Sequence, residues 1–385
     1  MMQSGTQKTA SDSIALPCSS SNTKDGSIVK SSPHTQITSR LSRRTLAQGG
    51  ASLALATVAV GKISRGVFAQ EATPVAGNAP LWEDVDQLFI DAAPETAMLA
   101  AELIDGRCIP IHGLNPDFVL PVGSSFKLWI LGAIALEIQA GNLDWEQEVE
   151  IEDRYRSVPG GDLRFAPTGA KYTLRYIVER MMQKSDNTAT DHMFYLVGRE
   201  KVEAAMTAMG HSNPDLNIPI ISTKELALLK FAYPTEFLDD FYAKSVDERR
   251  RILDENVSQR NVDSIPSIDQ TTPLEIDRVE WFATRNDLCE TMNWLDLKAM
   301  EPGMLPVSEV IALETQLKFE GAVWPYVGFK GGSELGVLSG TWLLHRADNR
   351  HFVYTVGFKN PDGEIDIEAA IAAMEAGRDR LAVAP

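Results

Sequence analysis

Three short stretches carry side chains whose types and spacing suit acyl chemistry. In the first, Gly123-Ser124-Ser125-Phe126-Lys127, a serine and a lysine lie three apart and project onto one face of a helix's first turn. A hydroxyl is a poor nucleophile until a base takes its proton. Lys127 suits that task because residues 128–136 are apolar almost all round, and burial makes an ammonium give up its proton more readily. The backbone N–H of Ser124, at the positive end of the helix, would help to hold an oxyanion. The second stretch is Ser185-Asp186-Asn187, which ends one helix-like run and opens another. All three residue types cap helices. The same three could relay a proton through Ser185, hold a loop through Asp186 and bond an amide through Asn187. The third stretch, Val327-Gly328-Phe329-Lys330-Gly331-Gly332-Ser333, reads as a strand running into glycines. Gly332 would let a ligand approach the strand closely, Lys330 would meet a carboxylate, and the Ser333 N–H would be a second oxyanion donor.

These groups need a scaffold. Residues 81–92 suit a helix with Leu81, Val85, Leu88 and Phe89 on one face. Strands are expected over 97–103 and 108–112, joined at Asp105-Gly106, a strong hairpin signal. The pattern is mostly helical from 124 to about 300, and strand character returns at 326–330, 336–345 and 351–358 before a last helix over 365–381. Strands at both ends and helices between them predict an α+β fold. One antiparallel sheet is built from the two chain ends and flanked by helices, with an all-helical lobe inserted.

The three motifs follow one another with separations of 61 residues (Ser124 to Ser185) and 206 residues (Ser124 to Lys330). In this order they resemble the Ser-x-x-Lys, Ser-Asp-Asn and Lys-Thr-Gly motifs of the class A β-lactamase branch of the penicillin-recognising serine hydrolases. The resemblance covers about residues 81–385 and implies a β-lactamase/transpeptidase-like fold. It implies that Ser124 is acylated, Lys127 is the base and Ser185 passes a proton to the departing nitrogen. Asn187, Lys330, Gly332 and Ser333 would hold the substrate, a β-lactam or a cell-wall peptide ending in D-Ala-D-Ala. Two departures stand out. Gly331 replaces the family's threonine, and no Glu-x-x-Leu-Asn supplies the carboxylate that activates water against the acyl-enzyme. Glu225 is the nearest candidate, although Ser222-Thr223-Lys224-Glu225 also reads as a capping box. Thr271-Thr272-Pro273 resembles the connection that leads from the family's Ω-loop into a helix. The expected function is β-lactam hydrolysis through a Ser124 acyl-enzyme. The alternatives are a D,D-peptidase, transpeptidase or esterase, or a slowly deacylating penicillin-binding domain.

Composition narrows the rest. The chain has 385 residues and a net charge of −17, which argues against sequence-independent nucleic-acid binding. Residues 1–69 carry eight basic and two acidic side chains, so the remainder holds −23. Ser42-Arg43-Arg44-Thr45-Leu46, the mildly apolar run 47–60 and the small residues at 67–69 resemble a twin-arginine export signal, followed by a linker over 70–80. An exported, monomeric protein is expected, with domain 81–385. The six histidines show neither His-Glu-x-x-His nor His-x-His spacing, so no metal site and no cofactor are expected. Cys108 and Cys289, one on a strand and one on a distant helix, are not expected to pair.

Overall fold

The computed structural model describes residues 79–265 and 270–385. The expected export signal and nearly all of the linker lie outside the described residues. In chain order, α1 (Trp82–Ala92) precedes the hairpin of β1 (Glu95–Ile104) and β2 (Arg107–Leu114). Next, β3 (Leu120–Pro121) leads through a 3-10 turn, Gly123–Phe126, into α2 (Lys127–Gln139). The lobe continues with β4 (Glu148–Glu150), β5 (Lys171–Thr173), α3 (Leu174–Gln183), α4 (Asn187–Val197) and α5 (Arg199–Ala208). It goes on through α6 (Thr223–Ala232), α7 (Thr235–Tyr242), α8 (Val246–Ile252), β6 (Phe282–Ala283), α9 (Arg285–Ala299) and α10 (Leu305–Ile311). The chain then returns to the sheet as β7 (Tyr326–Glu334), β8 (Val337–His345) and β9 (His351–Lys359), and α11 (Ile367–Ala382) follows.

The sheet has the order β2-β1-β9-β8-β7, and each neighbouring pair is antiparallel. Its centre joins the two chain ends, with β1 paired along its length to β9. Asp105 and Gly106 both adopt positive φ, 50° and 69°, which the tight turn between β1 and β2 requires. Alternation along the strands separates two cores. Leu99, Ala101, Leu343 and Val353 face the helical lobe, while Met98, Ala100, Trp342 and Tyr354 face the layer of α1 and α11. In that layer Phe89 stacks on Phe358, with centroids 5.1 Å apart. The buried stripe of α1 is Val85, Phe89 and Ala92, whereas Leu81 and Leu88 are exposed. Spacings of four and seven residues therefore define the inner face, and the expected stripe was rotated too far. Helix α2 runs through the centre of the lobe, and its apolar side chains from Leu128 to Ala135 are buried on every side.

Two expectations are corrected. Cys108 and Cys289 form a disulfide, with Cα atoms 6.3 Å apart, although 181 residues separate them in sequence. Helix α9 packs across the sheet, β1 and β2 included, which brings its second turn, carrying Cys289, against β2. No helix follows Thr271-Thr272-Pro273 directly; the next one is α9, capped by Thr284, whose hydroxyl accepts from the Asp287 N–H. Among the described residues no helix is long and apolar enough to cross a membrane.

Closing so long a loop removes much of the freedom of the unfolded chain. Cys289→Ser, or thiol reduction, is expected to cost on the order of 3–5 kcal/mol, read as a lower denaturation midpoint in urea. An unchanged midpoint would show that packing alone holds α9 to β2.

Candidate active site

The turn carrying Ser124 is clamped from two sides. The Val122 N–H donates to the Trp281 carbonyl at 2.8 Å, and the Trp281 ring lies flat on Phe126 with centroids 3.6 Å apart. Gly123 sits at φ 49°, a left-handed conformation that favours glycine. From Pro121 to Ala135, Ser124 is the one side chain that is not fully buried. The edge strand β7 passes close beside this turn. A side chain at Gly332 would collide with the Ser124 amide nitrogen and the Val122 carbonyl, and a Cβ on Gly123 would lie 3.1 Å from the Ser333 nitrogen. Gly331 and Gly332 are thus inside the strand, which runs on to Glu334 and does not stop at Lys330. The backbones at Ser124 and Ser333 thus approach each other closely, as two amide donors to one oxyanion would need.

Lys127 opens α2 and is fully buried. Its Nζ donates to the Ser185 carbonyl at 2.6 Å, to Ser185 Oγ at 3.0 Å and to Asn187 Oδ1 at 2.7 Å. From the opposite side Lys330 Nζ approaches the same Ser185 Oγ at 3.1 Å and its own neighbour's carbonyl, Gly331 O, at 2.5 Å. Burial pushes the Lys127 ammonium well below the usual lysine range, helped by the charge of Lys330. Burial also brings Lys330 down to about 7. A hydroxyl between two such amines can donate to the lone pair of one and accept from the other, so Ser185 bridges them. Among the described residues the Ser124 hydroxyl makes no hydrogen bond, and Lys127 must swing toward it to act on it.

Ser185 itself lies at φ 53°, a sparsely populated conformation for serine. The Asp186 carboxylate holds it there, accepting from Ala189 N–H at the start of α4 and from Leu163 N–H, both at 2.9 Å. Gly161 is required beside it, because a Cβ would strike that carboxylate. Capping and site-building are therefore one job here. The Asn187 amide is also occupied, its Nδ2 donating to the Pro159 carbonyl at 3.1 Å. His192 is buried, accepting from Glu152 N–H at 2.9 Å and donating to Thr188 O at 2.7 Å, in keeping with a packing role.

Glu225 is not brought to this cluster. It closes a capping box with Ser222, whose N–H donates to Oε2 at 2.8 Å. Arg199 forks onto both oxygens at 2.8 and 3.1 Å, and Tyr195 donates to Oε1 at 3.2 Å. Fully buried and saturated with donors, the carboxylate has no free lone pair for a water. Sequence reasoning missed Trp281 and the segment 159–161. The apolar alternation before the Thr284 cap was the available signal for Trp281; for the glycines of 159–161 there was only a generic turn signature.

The fold and this geometry can be set beside known proteins. Residues 80–246 match the model of the β-lactamase enzyme family. Beta-lactamase VEB-1 of Pseudomonas aeruginosa is 32% identical over 87 residues, which is 22% of this chain and 29% of that protein's own length. Among solved structures, an ancestral class A β-lactamase superposes with a TM-score of 0.54 at 16% identity, covering 78% of this chain and 98% of the other. A point mutant of PBP-A, in its acyl-enzyme complex with penicillin G, gives 0.51 at 13% identity, with 78% and 94% covered. The β-lactamase of Chitinophaga pinensis gives 0.53 at 15% identity, with 77% and 97% covered. At these identities the structural likeness is one of fold. The architecture is that of the β-lactamase fold, and residues 80–246 match the β-lactamase enzyme family.

Glu225→Gln breaks a buried ion pair and is expected to cost on the order of 3 kcal/mol in a urea melt. Any acyl-enzyme hydrolysis should continue at its former rate in the folded variant. Selective loss of hydrolysis with stability unchanged would overturn the capping role.

Proposed function

We propose that the protein is an exported serine hydrolase whose Ser124 opens the amide of a β-lactam and retains the acyl group for long periods. The observation that carries this reading is the convergence of Lys127 and Lys330 on the Ser185 hydroxyl, next to the paired amides of Ser124 and Ser333. In the proposed course, Lys127 takes the proton of Ser124 Oγ as that oxygen adds to the carbonyl carbon. The two amides hold the oxyanion. The carbon–nitrogen bond then breaks, and the nitrogen takes a proton from Ser185, which is replenished by Lys127. Lys330 attracts the substrate carboxylate, and Asn187 turns its amide from Pro159 toward the acyl side chain. Hydrolysis needs a second base to activate water, and the sequestered Glu225 favours an acyl-enzyme that outlives its formation. That same observation favours the penicillin-binding alternative over a fast lactamase. A disulfide supports export, since such bonds persist in oxidising compartments.

Incubating the full chain with a fluorescent penicillin should give a covalent label at one equivalent, and a chromogenic cephalosporin should show a burst with slow turnover. Ser124→Ala should abolish both, and a label that persists in that variant would sink the assignment. Lys330 is cationic below about 7 and neutral above it, so acylation by an anionic substrate should weaken as pH rises through that value. Lys330→Met should remove this dependence and slow acylation about 10- to 100-fold, the loss of one charge-assisted contact. A pH profile unchanged by the substitution would exclude Lys330 as the carboxylate partner.

A further inference from the structure

Three side chains far from Ser124 make a second polar cluster. His345 and His351 are six residues apart in sequence, but the β8–β9 register sets them directly opposite each other. Asp296 reaches up from α9 and takes both: His345 Nε2 lies 2.9 Å from Oδ1, and His351 Nδ1 lies 2.7 Å from Oδ2. The carboxylate is nearly buried, at 8% side-chain exposure, while the histidines keep 26% and 30%. One nitrogen from each ring and one carboxylate oxygen all lie within 4.8 Å of one another.

We propose that Asp296, His345 and His351 form a binding site for a divalent transition metal of borderline softness, with Zn²⁺, Co²⁺ or Ni²⁺ as the fitting ions. Two imidazole nitrogens and one carboxylate oxygen are a donor set that such ions favour over Mg²⁺ or Ca²⁺, which take oxygen donors. With bonds of about 2.0–2.2 Å, tetrahedral donors stand about 3.4 Å apart. The two rings now bond different oxygens of the carboxylate, so on binding the nitrogen in contact with the ligating oxygen draws back to that spacing, while donor atoms that now lie farther apart, all within 4.8 Å, close to it. The two rings are stacked, 3.6 Å between centroids and 8° between planes, so each also turns about its Cβ–Cγ bond to aim a lone pair at the ion. That torsion is soft, and both rings have an open edge along which to turn. Binding displaces a proton from each bonded nitrogen to its ring partner or to solvent, and water takes the remaining position. Tyr326 closes the inner side, its ring centroid 4.4 Å from that of His345 and its hydroxyl committed to the Ser308 carbonyl.

The site lies at the far end of β7 from the oxyanion strand. Tyr326, which pairs with His345, is seven residues from Ser333, about 23 Å at strand rise. Its work is therefore to tie elements together. Cys289 and Asp296 are two turns apart on α9, so the disulfide fastens one end of that helix to β2 and the metal fastens the next segment to β8 and β9. Nothing in this depends on Ser124 chemistry.

The full chain, stripped with a chelator, should be titrated with Zn²⁺ by calorimetry and with Co²⁺ by visible absorption. One equivalent is expected to bind with a dissociation constant of micromolar or tighter, with a four-coordinate Co²⁺ spectrum and a higher melting temperature. His345→Gln and His351→Gln, which keep an amide to bond Asp296 and so guard the fold, should each weaken binding at least tenfold. His112→Ala, on β2 beside Asp86, should leave it intact. The absence of saturable binding, or binding that survives both glutamine substitutions, would overturn the proposal.

Discussion

The whole arrangement turns on one serine hydroxyl held between two buried amines. Ser185 sits at the junction of the lobe and the sheet, bonded by Lys127 from α2 and by Lys330 from β7. Two ammonium groups in so dry a space repel each other, and each is also deprived of water. Burial makes both give up their protons more readily than ordinary lysines, Lys330 at about 7, which eases this repulsion. Everything around the hydroxyl serves to keep this cluster in place. The Asp186 carboxylate fixes the loop, Gly161 makes room for it, and the left-handed Ser185 backbone turns the side chain inward.

A second constraint acts on Ser124 from below. Ser124 stays partly exposed while its neighbours are buried: Phe126 is pinned under Trp281 and α2 is packed on every side. The glycine at 332 then lets the edge strand pass against the backbone of the Ser124 turn. The domain's strong negative charge makes these few inward cations a local exception in the surrounding field.

Much of this was legible in the residues. The all-round apolarity after Lys127 foretold a buried lysine, and Asp105-Gly106 foretold the hairpin, because both signals are local. The split sheet followed from strand patterns at the two ends. What could not be read was contact between distant segments. The Cys108–Cys289 bond depends on how α9 crosses the sheet, and Glu225's partner Arg199 lies 26 residues away on another helix. Thr271-Thr272-Pro273 matched a pattern, but the helix it promised begins only after Thr284. The sequence pattern ends this strand at Lys330, because glycines usually mark a turn. Here they mark a strand pressed against another backbone.

The position of β9 has a consequence for how the chain acquires its structure. Among the described strands β9, the last in chain order, lies between β1, the first, and β8. Until residues 351–359 emerge, β1 lacks its inner neighbour and exposes a row of unpaired amides and carbonyls. Pairing across roughly 250 residues closes a very long loop, which makes the final step slow and leaves an adhesive edge open meanwhile. The Lys127–Ser185–Lys330 cluster inherits this timing, since among the described strands β7 joins the sheet through β8 and β9. A chain truncated before β9 would keep the Ser124 and Ser185 segments yet lack the platform that brings Lys330 to them.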